Sequence, residues 1–133
     1  MEKYNVTIKK IEWFDKDNPE ANVLFEIEKK EYWAFCHPCN FIDGEEVSVN
    51  FNFIEDEISE FSFWNENKNH TTEIIASLSD KTRYYCYGQL RNSSPKTINC
   101  GPISFDWVIE NKDPKLMTYY VYFVVARLDI SKA

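Results

Sequence analysis

From Tyr4 to Ile130, apolar residues keep returning at every second position. A period of two sends alternate side chains to opposite faces of an extended chain, so the sequence reads as strands with one face on a core. Tyr4, Val6 and Ile8 alternate with polar residues; Lys9-Lys10 shifts the phase as a β-bulge does, and Ile11 and Trp13 resume it. Val23, Phe25 and Ile27 form a second strand closed by a charged turn at Lys29-Lys30-Glu31, and Trp33 and Phe35 begin a third. Asp43-Gly44 marks a turn into the clearest strand, where Val47, Val49, Phe51 and Phe53 point one way and Ser48, Asn50 and Asn52 the other.

Phe61 and Phe63 continue the pattern. Ile74, Ala76 and Leu78 lack a helix cap and read as a strand. Arg83–Leu90 forms another strand. Arg91–Pro102 is a loop rich in Asn, Ser and Pro, and Ile103, Phe105, Trp107 and Ile109 alternate after it. A last strand runs from Leu116 to Ile130, apolar on both faces between Tyr119 and Ala126, as expected of a strand covered on both sides. About nine strands with short polar links and no helix predict a single all-β domain over residues 1–133, a barrel or a sandwich. The phase-shifted first strand, the glycine-led central hairpin and the small size favour an OB-like barrel over a sandwich or jelly roll.

Hydrophobic residues make up 44% and aromatics 17% of the chain, too apolar a composition for disorder. The first residues carry Glu2, Lys3, Lys9 and Lys10 where a signal peptide is apolar, and the longest apolar run, Tyr119–Ala126, is far shorter than a spanning helix. A cytoplasmic protein that does not enter a membrane is expected. Its four cysteines then remain thiols, because that compartment is reducing.

Charge is unevenly placed. Between Glu31 and Asn67 stand nine acidic residues and no lysine or arginine; the rest of the chain has 13 acids against 15 bases, so this window holds the whole excess behind the net −7. Most such runs are solvated surface. As a functional surface, Asp43, Glu45 and Glu46 at one end of a strand and Glu55, Asp56 and Glu57 at the other would present a negative field to a cationic partner. Trp64, which breaks phase beside Asn65-Glu66-Asn67, is the candidate aromatic contact in that surface.

Signs of catalysis are weak. Cys36-His37-Pro38-Cys39 could supply half of a zinc site with Cys86 and Cys100, but the second pair lacks the short spacing of a zinc ribbon, and buried free thiols explain all four. The same string lacks the helix N-terminus that activates a redox dithiol. Asp15-Lys16-Asp17-Asn18 begins like a calcium loop but continues Pro19-Glu20. There is no nucleophile elbow and no phosphate-cradling glycine loop. Neither a cofactor nor a metal is therefore expected. Arg83, Tyr85 and Arg91 interleave base and aromatic, the pattern of a single-stranded nucleic-acid platform, although the overall acidity opposes such a partner. Trp13, Trp33 and Trp107 fall in phase with apolar faces and are expected in the core; a sugar or small ligand stacked on a tryptophan is the remaining alternative. Small size, acidity and missing catalytic signature are similar to the general profile of bacterial immunity proteins. The expectation is a non-enzymatic inhibitor that binds and neutralises a basic protein, such as a toxin.

Overall fold

The computed structural model describes residues 3–55, 67, 69–91, 97–106 and 120–133. They form nine strands and no helix: β1 (Tyr4–Asp15), β2 (Glu20–Ile27), β3 (Lys30–Cys36), β4 (Glu46–Glu55), β5 (Glu73–Ala76), β6 (Tyr84–Arg91), β7 (Thr97–Asn99), β8 (Ser104–Asp106) and β9 (Tyr120–Lys132). Among the described residues, no helix is long and apolar enough to cross a membrane. The chain divides into two compact units, one of residues 1–54, 76–84 and 126–133, the other of residues 55–75 and 85–125.

In the first unit, neighbouring strands run β3-β2-β1-β4-β9, and β9 returns to β3, so five strands close in a ring. The pairs β1–β2, β2–β3 and β1–β4 are antiparallel. The closing pair is parallel, with one register contact, Phe35 opposite Asp129. Val6, Ile8, Ala21, Val23, Phe25, Ile27, Val49 and Leu128 fill the interior. Burying a side chain such as Phe25 contributes about 2 kcal/mol. The bulge anticipated at Lys9-Lys10 is present as a register shift between Ile8 and Lys10.

Three details differ from the sequence pattern. The β2–β3 turn is Glu28-Lys29, one residue before the expected position, with both residues at positive φ (49° and 66°). On β3 the buried residues are Tyr32, Ala34 and Cys36, and Trp33 and Phe35 face outward, half-buried. The cause is pairing: Phe25, Val23 and Ala21 of β2 lie opposite Tyr32, Ala34 and Cys36, and the core phase of β2 is imposed on its partner. Trp13 is likewise outside the core, 37% exposed.

In the second unit β6 lies between β9 and β7, β8 follows β7, and β5 pairs with β6. The expected loop Arg91–Pro102 contains β7, because Ile98 fills a buried position opposite Leu90. Gly88 lies so close to β7 that an added Cβ would stand 2.6 Å from Ile98 and 2.7 Å from the Cys100 sulfur. Val121, Phe123, Val124 and Val125 are all buried, as expected for a strand covered on both faces. Buried Asn67 donates to the carbonyls of Thr71, Gly88 and Val121 and accepts from Thr71, a fully bonded polar anchor. Trp107, Ile109, Phe61 and Phe63 lie outside the described residues.

Candidate functional site

Strand register decides which carboxylates share a face. Glu31 of β3 lies opposite Glu26 of β2, Glu26 opposite Thr7 of β1, and Thr7 opposite Glu46 of β4. Glu31, Glu26 and Thr7 occupy outward positions, since their neighbours Tyr32, Phe25, Ile27 and Val6 are buried, and Glu46, opposite Thr7, is itself exposed. A transverse row therefore crosses four strands of the ring with three carboxylates on it. Glu26, Glu28 and Glu46 also line a shallow groove of about 270 Å³ whose floor includes Asn5 and Thr7.

Two features of the row run against stability. Directly opposed residues on antiparallel strands have Cβ atoms about 5 Å apart, so Glu31 and Glu26 repel, at a cost of roughly 0.2–1 kcal/mol. Glu28 and Lys29 take left-handed backbone conformations that favour Asn-Gly, at about 1 kcal/mol each for other residues. Relief is partial: Lys9 bridges Glu26 at 3.1 Å. Among the described residues no cation within 4 Å bridges Glu28, Glu31, Glu46 or Asp43.

The acidic residues singled out by the sequence divide accordingly. Glu46 joins the row, and Asp43 stands exposed in the turn before it. Glu45 is engaged within its own loop: its Oε1 accepts from the Ile42 amide at 3.0 Å and lies 3.6 Å from the Lys132 ammonium. That turn is fastened to β1, with the Gly44 amide donating to the Ile8 carbonyl and the Ile8 amide to the Glu45 carbonyl. Glu55 ends β4; its side chain, Asp56, Glu57 and Trp64 lie outside the described residues. Glu26 and Glu28 were missed because they precede the base-free window and stand beside Lys29 and Lys30 in sequence. The signal for them was the outward phase of β2.

The alternative nucleic-acid residues lie on or beside β6. Tyr85 is half-buried on that strand, as is Tyr87, which packs on Tyr122 with ring centroids 5.0 Å apart; Arg91 is exposed at the strand end, and Arg83 precedes it. Tyr84 is in the core, as expected of one residue of that pair.

A different aromatic surface borders the β3–β9 closure, within the first unit. Lys81 sits 4.2 Å over the Trp33 ring and bridges Glu12 at 2.6 Å, holding the Glu12 carboxyl below its ordinary range through that hydrogen bond. Arg127 sits 4.2 Å over the Phe35 ring and binds Asp129 with a fork, Nε to Oδ1 at 2.7 Å and Nη2 to Oδ2 at 3.0 Å. The buried Tyr84 hydroxyl donates to the Trp33 carbonyl at 2.6 Å and accepts from the Trp33 amide at 2.7 Å. It thereby satisfies backbone groups of β3 where the single register contact with β9 does not reach.

The cysteines are four buried free thiols. Burial, then a hydrogen bond with Cys39, pushes the Cys36 thiol pKa up; burial, then Cys86, does the same for Cys100. Cys36 and Cys39 belong to the first unit and Cys86 and Cys100 to the second. Among the described residues no three His, Cys, Asp or Glu side chains converge on a metal-sized space.

No family model, no curated protein and no solved structure matches the chain.

Proposed function

We propose that this chain is a non-enzymatic binding protein whose acidic row docks a basic protein, in the manner of an inhibitor or immunity protein that neutralises a cationic toxin. The observation that carries the reading is the alignment of Glu31, Glu26 and Glu46 across β3, β2, β1 and β4, with Glu28 sharing one groove with Glu26 and Glu46. A pair of directly opposed carboxylates and a strained turn without glycine both cost folding energy, and local rules are most often broken where a surface serves binding. Arginine and lysine side chains of a partner would enter the groove, where paired carboxylates accept the guanidinium fork. The same field speeds encounter with a positive partner and rejects nucleic acid. Asp43 extends the surface, and Glu55, Asp56, Glu57 and Trp64 are proposed to continue it.

The five-stranded ring supports reading the first unit as an OB-like barrel, since five strands with one parallel closing pair suit that architecture. A cytosolic setting fits the four free thiols.

The test is calorimetric titration of an oligoarginine peptide into the wild-type chain and into a Glu31→Lys, Glu46→Lys double variant. Both positions are exposed, so the fold should be unchanged. The reading expects affinity to fall about tenfold or more and its salt dependence to weaken. Equal affinity and equal salt dependence would eliminate it.

A further inference from the structure

The β3–β9 closure carries a second recessed surface with a different chemistry. A cavity of about 340 Å³ is lined by Phe35 and His37 from β3 and the residues after it, Asn52 from β4, and Arg127, Asp129, Ile130 and Ser131 from β9. Its volume lies in the range of small-molecule sites. Arg127 and Asp129 neutralise each other through the fork, and the guanidinium is held against the Phe35 ring, so both charged groups are fixed before any ligand arrives.

That arrangement selects a ligand by charge. An anion would meet Asp129 and a cation would meet Arg127. The fork leaves further N–H groups on the guanidinium and lone pairs on both carboxylate oxygens, and Asn52 and Ser131 each add a donor and an acceptor. Donors and acceptors interleaved at zero net charge match a group that both donates and accepts, which is a hydroxyl. Phe35, with Arg127 over one face of its ring, adds an apolar edge for C–H groups.

We infer that the cavity of Phe35, Asn52, Arg127, Asp129 and Ser131 binds a neutral polyhydroxylated ligand, a sugar of one or two rings. This site is separate from the acidic row and does not depend on it.

The experiment is an NMR titration of the full chain with neutral methyl glycosides of glucose, galactose, mannose and N-acetylglucosamine, with inorganic phosphate and AMP as charged comparators. The expected result is saturable shifts at Asn52, Arg127 Nε and Ser131 with at least one glycoside. These shifts weaken about tenfold or more in Asn52→Ala and in Arg127→Lys, which keeps the charge and loses the fork. Asn52 is exposed, so its variant tests binding without loading the core. The Glu31→Lys, Glu46→Lys variant should bind the glycoside as the wild type does, which separates this inference from the proposed docking surface. No saturation with any glycoside would overturn it. So would saturation by phosphate or AMP at the same residues, or a glycoside response that Asn52→Ala leaves intact.

Discussion

The acidic row and the β3–β9 closure belong to the same unit, share β3, and handle charge in opposite ways. At the closure charges are paired: Arg127 has Asp129 and the Phe35 ring, Lys81 has Glu12 and the Trp33 ring, and the exposed-phase backbone of Trp33 has the Tyr84 hydroxyl. On the row, Glu31 faces Glu26, and Glu28 sits in a turn whose conformation suits other residues. One region spends its polar groups holding the ring shut. The other bridges Glu26 through Lys9 but, among the described residues, sets no cation within 4 Å of Glu28, Glu31 or Glu46, and such a charge is what an external partner can neutralise. Substitutions at the closure should therefore lower stability, whereas those on the row should raise stability as they weaken binding.

The largest expected effect is at the closure. Tyr84→Phe removes a donor and an acceptor from the Trp33 backbone and should lower unfolding free energy by about 2 kcal/mol, read by urea denaturation. Affinity for oligoarginine should not change in the same variant. An unaltered denaturation midpoint would mean that the closure is held by something other than this hydroxyl.

Alkaline pH also acts on the closure side, because Cys36 ends β3. Its thiol pKa, like that of Cys100, is raised above the ordinary 9.0, so the unfolded chain loses these protons first. Their contribution is fully present below pH 9.0 and is lost as pH climbs above it, by about 1.4 kcal/mol per pH unit for each thiol at most. Stability measured from pH 8 to 10.5 should decline (about these values by the same linkage), and Cys36→Ser should flatten the decline. A profile that is level across this window would contradict the burial assigned to these thiols.

In the turn beside the row, Lys29→Gly relieves a left-handed residue and should raise stability by about 1 kcal/mol, since glycine adopts that conformation freely. A loss of stability there would show that the turn is not strained.

Much of this architecture was legible residue by residue. The bulge at Lys9-Lys10, the alternation of Val49 and Phe51 in β4 and the two-sided burial of Val121–Val125 all follow from local pattern. The phase of β3 did not, because Tyr32-Trp33-Ala34-Phe35-Cys36 is apolar on both faces and only pairing with β2 chooses between them. Nor did ring closure, which joins Phe35 to Asp129 far along the chain and leaves no periodic trace. The acidic window led to Asp43 and Glu46 but counted along the sequence. The row runs across strands, so Glu26, which precedes the window and stands shortly before Lys29-Lys30 in sequence, became its centre only through register.

The most direct check combines both properties in one molecule. Glu31→Gln keeps the side-chain shape and removes the repulsion with Glu26. Its urea midpoint and its affinity for oligoarginine should move in opposite directions, with stability up by about 0.5 kcal/mol and binding down. If stability falls, or if binding is untouched, then the opposed carboxylates are ordinary solvated surface and the row has no docking role.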